Sequence, residues 1–200
     1  GDPYSDIKVE QSISRLKAKN IFKKVEYKLN DGSSKDLKVM EIKVEEKPTG
    51  EIAAGAGVGT EGTSFSFSLK ENNYLGKGLG VDASLDMTEH SVRGGLSMQD
   101  PNFRNSGNLV WGGLTNTKTD RPDSGYENTL TQFDLGTKFE HLTNLYVSPN
   151  INLAFDELKV TADASSSMKK QAGNFTEFAF GYGIEKDNRD RPFMPTSGSV

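Results

Sequence analysis

The 200-residue sequence contains no cysteine and only two histidines, His90 and His141. Without cysteine the chain can form no disulfide, no thiolate nucleophile and no thiolate zinc site. Neither histidine has a nucleophile and an orienting group nearby in the pattern that catalysis by imidazole requires. The sequence therefore predicts no catalytic residue, no metal ligand and no cofactor, and we expect a protein that is not an enzyme.

Long hydrophobic runs are also missing, since only 34% of the residues are hydrophobic and no stretch approaches the ~18 apolar residues of a membrane-spanning helix. The net charge of −4 argues against a nucleic-acid partner. A membrane-spanning β-strand is not excluded in this way. Such strands alternate apolar and polar residues, so their average hydropathy stays low.

Glycine is scarce at the start of the chain and frequent afterwards. The first 50 residues hold three of the 21 glycines and carry a net charge of +2, whereas residues 51–200 carry −6. The change falls at Lys47-Pro48-Thr49-Gly50, a combination of residues that interrupts regular structure. We predict two units, residues 1–47 and residues 48–200.

The first unit reads as one helix followed by two short strands. Ser5 is a candidate N-cap, and Val9, Ile13 and Leu16 recur at helical spacing before Asn20 closes the helix. Alternation then predicts strands over residues 25–29 and 37–46. One helix and one hairpin bury little apolar surface, so we expect a unit truncated at its N-terminus. The alternative is a small cap packed on the rest of the chain.

The second unit is a succession of alternating segments. Ser64 to Leu69 places an apolar residue at every second position between serines, and Leu79 to Met87 repeats the pattern with carboxylates on the polar face. About eight such segments occur, each of roughly the ten residues that a tilted strand needs to cross a bilayer. The other six lie within residues 52–58, 92–98, 109–114, 132–139, 147–155 and 176–182.

The connectors suggest short turns on one side and longer linkers, residues 116–128 and 159–174, on the other, as in outer-membrane barrels. Aromatic residues near the strand ends suit an interfacial girdle. A soluble antiparallel β-sandwich would also show alternating strands separated by turns. The narrow apolar face and the acidic residues of the polar face, such as Asp82, Asp134 and Glu177, favour the barrel without excluding the sandwich.

Five stretches resemble the BamA family of outer-membrane assembly translocases, whose members join POTRA domains to a transmembrane β-barrel. In chain order they resemble the exit from the last POTRA domain, the first barrel strand and its loop, an asparagine-aromatic-Leu-Gly turn, a Pro-x-Phe turn, and the segment before the ninth strand. They are residues 44–51, 55–62, 71–78, 100–103 and 190–199.

This resemblance implies a mostly β fold. Residues 1–47 would be the C-terminal part of the last, partial α+β POTRA domain, and residues 48–200 the first half, about eight strands, of a sixteen-stranded antiparallel transmembrane β-barrel. The chain would thus be a central piece of a longer protein. The implied function is to insert and fold β-barrel proteins in the bacterial outer membrane, with the POTRA part in the periplasm. The implied partners are unfolded outer-membrane clients, accessory outer-membrane lipoproteins and the lipid bilayer.

The resemblance also implies a lateral gate formed by the first barrel strand, to which a client strand adds by β-augmentation. Its glycines would weaken strand pairing, although small residues that fill a crowded barrel interior explain them equally well. Periplasmic turns are implied at Asn73, Tyr74, Leu75, Gly76, Pro101 and Phe103, and POTRA contacts at Lys23, Lys24 and Lys28. The gate residues are Glu51, Ile52, Ala53, Ala54, Gly55, Ala56, Gly57, Val58, Gly59 and Thr60.

Three alternatives come from other classes of protein. A two-partner secretion transporter of the same superfamily shares the plan of POTRA domain and barrel but exports one dedicated polypeptide. A passive outer-membrane porin would lack the POTRA unit. A soluble β-sandwich adhesin would bury its apolar face against a second sheet. The lysine run likewise has a plain alternative as a solvated face.

Overall fold

The computed structural model describes residues 4–34, 37–60, 62–190 and 195–200. Residue 61, within the stretch that resembles the first barrel loop, and residues 191–194, within the last stretch, lie outside the described residues. The chain forms two compact units. One comprises Gly1–Thr49 together with Lys186–Val200, and the other comprises Gly50–Glu185.

The first unit contains the predicted helix and hairpin. Helix α1 spans Asp6–Ala18 with Ser5 at its N-cap, and Ile13 is its buried residue. Asn20 ends the helical path with a left-handed φ of 56°, a conformation that asparagine tolerates better than most residues. Strands β1 (Phe22–Asp31) and β2 (Lys38–Glu46) then pair antiparallel.

The second unit is a single eight-stranded sheet in which chain neighbours are also sheet neighbours, in the order β10-β9-β8-β7-β6-β5-β4-β3. Each register from β3 to β9 is antiparallel. All eight segments predicted from alternation are therefore strands. They are β3 (Gly50–Gly59), β4 (Gly62–Tyr74), β5 (Leu79–Thr88), β6 (Ser91–Asp100), β7 (Leu109–Arg121), β8 (Tyr126–Leu142), β9 (Leu145–Val160) and β10 (Gly173–Lys186).

The registers sort the side chains into an apolar and a polar face. On the apolar face Phe67 lies opposite Ala54 and Leu85, and Leu96 lies opposite Ala83 and Leu114. Serine, threonine, aspartate and glycine dominate the other face, because successive residues of a strand point to opposite sides. The two faces of this sheet therefore differ sharply in polarity.

Among the described residues of the second unit, no second layer covers the apolar face. Phe65 is 52% exposed, Phe67 45% and Phe178 69%, and Leu85 also remains exposed. A soluble sandwich needs these side chains buried between two sheets about 10 Å apart. The sandwich alternative is therefore wrong for this sheet. Among the described residues no helix is long and apolar enough to span a membrane.

Two predictions about the connectors are wrong. Residues 116–121 and 126–128 belong to β7 and β8, although they were predicted as linker, because both faces of these strand ends are polar and show no alternation. Short and long connectors also do not alternate. Among the described residues, the connectors at one end are residues 75–78, 101–108 and 143–144, and those at the other are residue 60 and residues 89–90, 122–125 and 161–172.

The last of these connectors contains a short helix, α2 (Ser166–Gln171), that the sequence did not predict. Ser165 caps it, because its Oγ accepts a hydrogen bond from the Met168 N–H at 3.3 Å. We call the end of the sheet where the chain enters β3 and leaves β10 the proximal end, and the opposite end the distal end. Residues 75–78, 101–108 and 143–144 are thus proximal, and α2 is distal.

Candidate functional site

The predicted gate strand is an edge of the sheet. Strand β3 pairs with β4 from Gly50↔Glu71 to Gly59↔Gly62 and has no neighbour on its other side in the described sheet. The sequence placed it at residues 51–60, one residue later at each end, and Thr60 lies in the turn that follows. An edge strand presents a row of N–H and C=O groups to which another strand can pair.

Every residue of β3 is exposed, including Ile52 at 69% and Val58 at 87%. Its glycines face serines of β4: a Cβ on Gly55 would lie 2.9 Å from the Ser66 Oγ, and one on Gly57 3.2 Å from the Ser64 Oγ. A Cβ on Gly59 would meet no atom within 4 Å. Small side chains thus leave the backbone of this strand accessible.

A row of alternating charge crosses β3, β4 and β5 on the polar face. Lys70 lies directly opposite Glu51 on one side and Asp82 on the other. Opposite charges at facing positions stabilise strand pairing. This row is not evident from the sequence, because its members are distant in the chain and meet only through the strand registers. The one available signal was a lysine and two acidic residues at polar positions of consecutive segments.

The predicted turn residues lie together at the proximal end. Asn73 and Tyr74 end β4, Leu75 and Gly76 begin the connector to β5, and Pro101 and Phe103 lie in the connector between β6 and β7. A bulge between Glu71 and Tyr74 places Tyr74 opposite Leu79. The aromatic ring thereby joins the apolar face, since bulges redirect side chains.

Three comparisons place the fold among known proteins. Residues 49–200 match the family model of the Omp85 superfamily domain. The chain belongs to the Omp85 superfamily. The outer membrane protein assembly factor BamA of Neorickettsia risticii (strain Illinois) is 24% identical over 202 residues, covering 98% of this chain and 27% of that protein. The Omp85 chain thus spans about a quarter of this curated relative.

The structural match supports the same fold. The crystal structure of BamA from Haemophilus ducreyi lacking POTRA domains 1–3 aligns with a TM-score of 0.69 at 20% identity, covering 95% of this chain and 40% of that chain. At this identity the likeness concerns the fold alone. The eight-stranded sheet of the Omp85 chain therefore corresponds to part of the BamA barrel, and the chain is BamA-like.

The three predicted contact lysines of the first unit occupy different settings. Lys23 Nζ lies 2.8 Å from a carboxylate oxygen of Glu45, and Lys24 Nζ lies 2.8 Å from one of Glu26. The hydrogen bond to Glu26 raises the pKa of Lys24. Lys28 lines a groove of about 550 Å³ between α1 and the hairpin. Two of the three predicted contact lysines are thus paired with acidic side chains.

Two further observations concern charged side chains in the part of the chain that the structure describes. No group of three or more histidine, aspartate or glutamate side chains there is placed to hold a metal ion. Lys138 Nζ forms an ion pair with Glu185 at 2.7 Å and lies 5.1 Å from the centre of the Tyr146 ring. This cluster links β8, β9 and β10 and is best explained as a structural contact.

Proposed function

We propose that this Omp85 chain takes part in the insertion and folding of β-barrel proteins in the bacterial outer membrane. Family membership and the likeness to a BamA assembly factor support this proposal. In it, residues 48–200 form the first half of a sixteen-stranded barrel, and residues 1–47 form the C-terminal part of a POTRA domain in the periplasm. The proposed activity changes the conformation of the client and makes or breaks no covalent bond.

The observation that carries the proposal is the exposed apolar face of the sheet. Phe65, Leu96 and Phe178 are all more than half exposed, which is costly in water for side chains of this size. Contact with hydrocarbon removes that cost. The polar face would then line an aqueous interior, and the lipid bilayer is the first partner that the proposal requires.

The edge strand supplies the proposed mechanism. A strand entering lipid with unpaired N–H and C=O groups loses several kcal/mol for each group. In our proposal residues 51–60 act as a lateral gate. The backbone of β3 forms hydrogen bonds with the N–H and C=O groups of a client strand, which thus adds to the sheet by β-augmentation. Glycines at positions 55, 57 and 59 carry no side chain that could hinder the approach of a client strand.

The remaining partners are unfolded outer-membrane clients and accessory outer-membrane lipoproteins. We propose that the first unit contacts them through Lys23, Lys24 and Lys28, with the neighbouring carboxylates of Glu45 and Glu26 restricting which charged groups can approach. The proximal turns, including Asn73 and Phe103, would then face the periplasm.

Cross-linking tests the gate directly. A photoreactive residue replaces Ile52 in the intact protein, and the matched control carries it at Leu96. Both side chains lie on the apolar face and are exposed, at 69% and 54%, but only Ile52 lies on an edge strand. We expect adducts with an assembling client at position 52 and none at position 96. Equal yields at the two positions, or no adduct at position 52, would contradict the gate.

A further inference from the structure

Two proximal turns of the sheet are built on one eight-residue motif. Residues 71–78 read Glu-Asn-Asn-Tyr-Leu-Gly-Lys-Gly, and residues 100–107 read Asp-Pro-Asn-Phe-Arg-Asn-Ser-Gly. Both have an acidic residue at the first position, asparagine at the third, an aromatic residue at the fourth and glycine at the eighth. The first turn joins β4 to β5 and the second joins β6 to β7.

Two hydrogen bonds of the central asparagine are the same in both turns. In the first turn the Asn73 N–H donates to Glu71 Oε1 at 2.7 Å, and Asn73 Oδ1 accepts from the Gly78 N–H at 2.7 Å. In the second turn the same two bonds join Asn102 to Asp100 and to Gly107, both at 2.9 Å. In each turn the asparagine thus holds the loop closed through two hydrogen bonds of its own, one to each end of the motif.

The backbone of both turns is left-handed at the fifth, sixth and eighth positions. The φ angles are 55°, 69° and 71° in the first turn and 53°, 59° and 76° in the second. Glycine or asparagine suits such positions, yet the fifth position holds Leu75 in one turn and Arg104 in the other. A branched apolar side chain in this conformation is strained, and Leu75 is also 72% exposed. Contacts among the described residues of the second unit do not compensate for this strain or this exposure.

The surroundings of Leu75 indicate the environment that suits its side chain. The preceding Tyr74 is on the apolar face, opposite Leu79, so Leu75 follows directly on the surface assigned to lipid. In the second turn the Arg104 guanidinium carbon lies 5.2 Å from the centre of the exposed Phe103 ring. An aromatic ring beside a cation suits the level of the lipid headgroups, where the phosphates are anionic.

The repetition itself favours a membrane over a protein partner. The two turns are two strands apart, a distance of about 10 Å in a sheet. A bilayer is uniform along its plane and meets both turns in the same way. A folded protein partner would need two similar binding surfaces at the same spacing as the two turns. We propose that the two turns anchor the proximal rim of the sheet in the lipid boundary, with Leu75 reaching the hydrocarbon. This inference rests on the membrane insertion put forward under the proposed function.

Single-cysteine probes test the proposal, because these 200 residues contain no cysteine. Leu75→Cys in the intact protein is labelled with an environment-sensitive fluorophore and placed in vesicles of phosphatidylethanolamine and phosphatidylglycerol. Lys77→Cys in the same turn is the matched control, and Leu96→Cys on the apolar face reports insertion of the sheet. We expect lipids that carry a nitroxide in the acyl chain to quench position 75 more strongly than position 77, with a blue-shifted emission.

The three probes separate failure of this inference from failure of the proposed function. If position 96 is not quenched, the sheet is not in the bilayer and the proposed function fails. If position 96 is quenched but position 75 is quenched no more than position 77, only the lipid anchor is wrong. If position 75 is shielded from aqueous iodide and yet is not quenched by lipid, a protein covers Leu75, which also overturns the anchor.

Discussion

At the scale of single residues, glycines on the polar face leave room for larger side chains of the facing strands. A Cβ on Gly136 would be 2.2 Å from Cζ2 of Trp111, and one on Gly113 would be 2.6 Å from Oδ1 of Asp134. In each case the side chain of a facing strand occupies the space that the glycine leaves. Close packing of this kind resists the addition of even one methyl group.

The Trp111 and Gly136 pair gives the first prediction. Gly136→Ala should destabilise the sheet by about 1–3 kcal/mol, because the added methyl group must displace a rigid indole. Chemical unfolding in detergent micelles measures the change in free energy. Combining Gly136→Ala with Trp111→Leu should recover part of the loss, since the atoms that clash are then gone.

Gly94 is the matched control for that prediction. It lies within β6, and a Cβ there would meet no atom within 4 Å. Gly94→Ala should therefore leave the stability unchanged or slightly raised, since alanine narrows the unfolded ensemble. Equal destabilisation by Gly94→Ala and Gly136→Ala would show that packing against Trp111 is not the cause.

At the scale of the element, the pairing of β3 with β4 depends on charge as well as on backbone hydrogen bonds. Lys70→Glu would place three carboxylates at facing positions with Glu51 and Asp82. We expect a loss of about 1 kcal/mol from the pairing. Hydrogen exchange within residues 50–59 should become faster, while exchange within β7 should stay unchanged. Lys70→Gln should have a smaller effect, and an equal effect of both variants would rule out repulsion.

The backbone of β3 gives a separate prediction. Gly57→Pro removes an N–H group from the edge strand, so it should impair client assembly and lower the amount of folded outer-membrane protein in cells. Gly57→Ala keeps the N–H, and its Cβ meets only the Ser64 Oγ at 3.2 Å, so this variant should remain active. Normal outer-membrane protein levels with Gly57→Pro would contradict a role of this strand in assembly.

The elements also show how far the sequence could be interpreted. Alternation identified all eight strands, because each strand carries apolar side chains on one face and polar side chains on the other. It failed where both faces turn polar, as in residues 116–121, and it gave no sign of the six residues of α2. The edge strand was placed within one residue, but the charge partners of Lys70 appeared only once the registers were known, since pairing joins positions far apart in the chain.

At the scale of the whole molecule, each unit must be considered separately. In the second unit many large apolar side chains are exposed, and most of them lie on one face of the sheet. Single exposed residues on a water-soluble protein do not explain an apolar surface of this extent. The first unit has Ile13 and Ile21 as its buried apolar residues among those described. Such a small core gives little stability by itself.

The division of the sheet into two faces leads to the last prediction, which compares the same substitution at two neighbouring residues of β6. Leu96 lies on the apolar face, whereas Ser97 lies on the polar face opposite Asp82 and Gly113. Leu96→Arg should destabilise the protein in bilayers by about 2–4 kcal/mol, because the guanidinium would face hydrocarbon. Ser97→Arg should be tolerated, since the new cation would face water and the carboxylate of Asp82. Urea unfolding in lipid vesicles measures both, and equal losses would mean that lipid does not cover the face that carries Leu96.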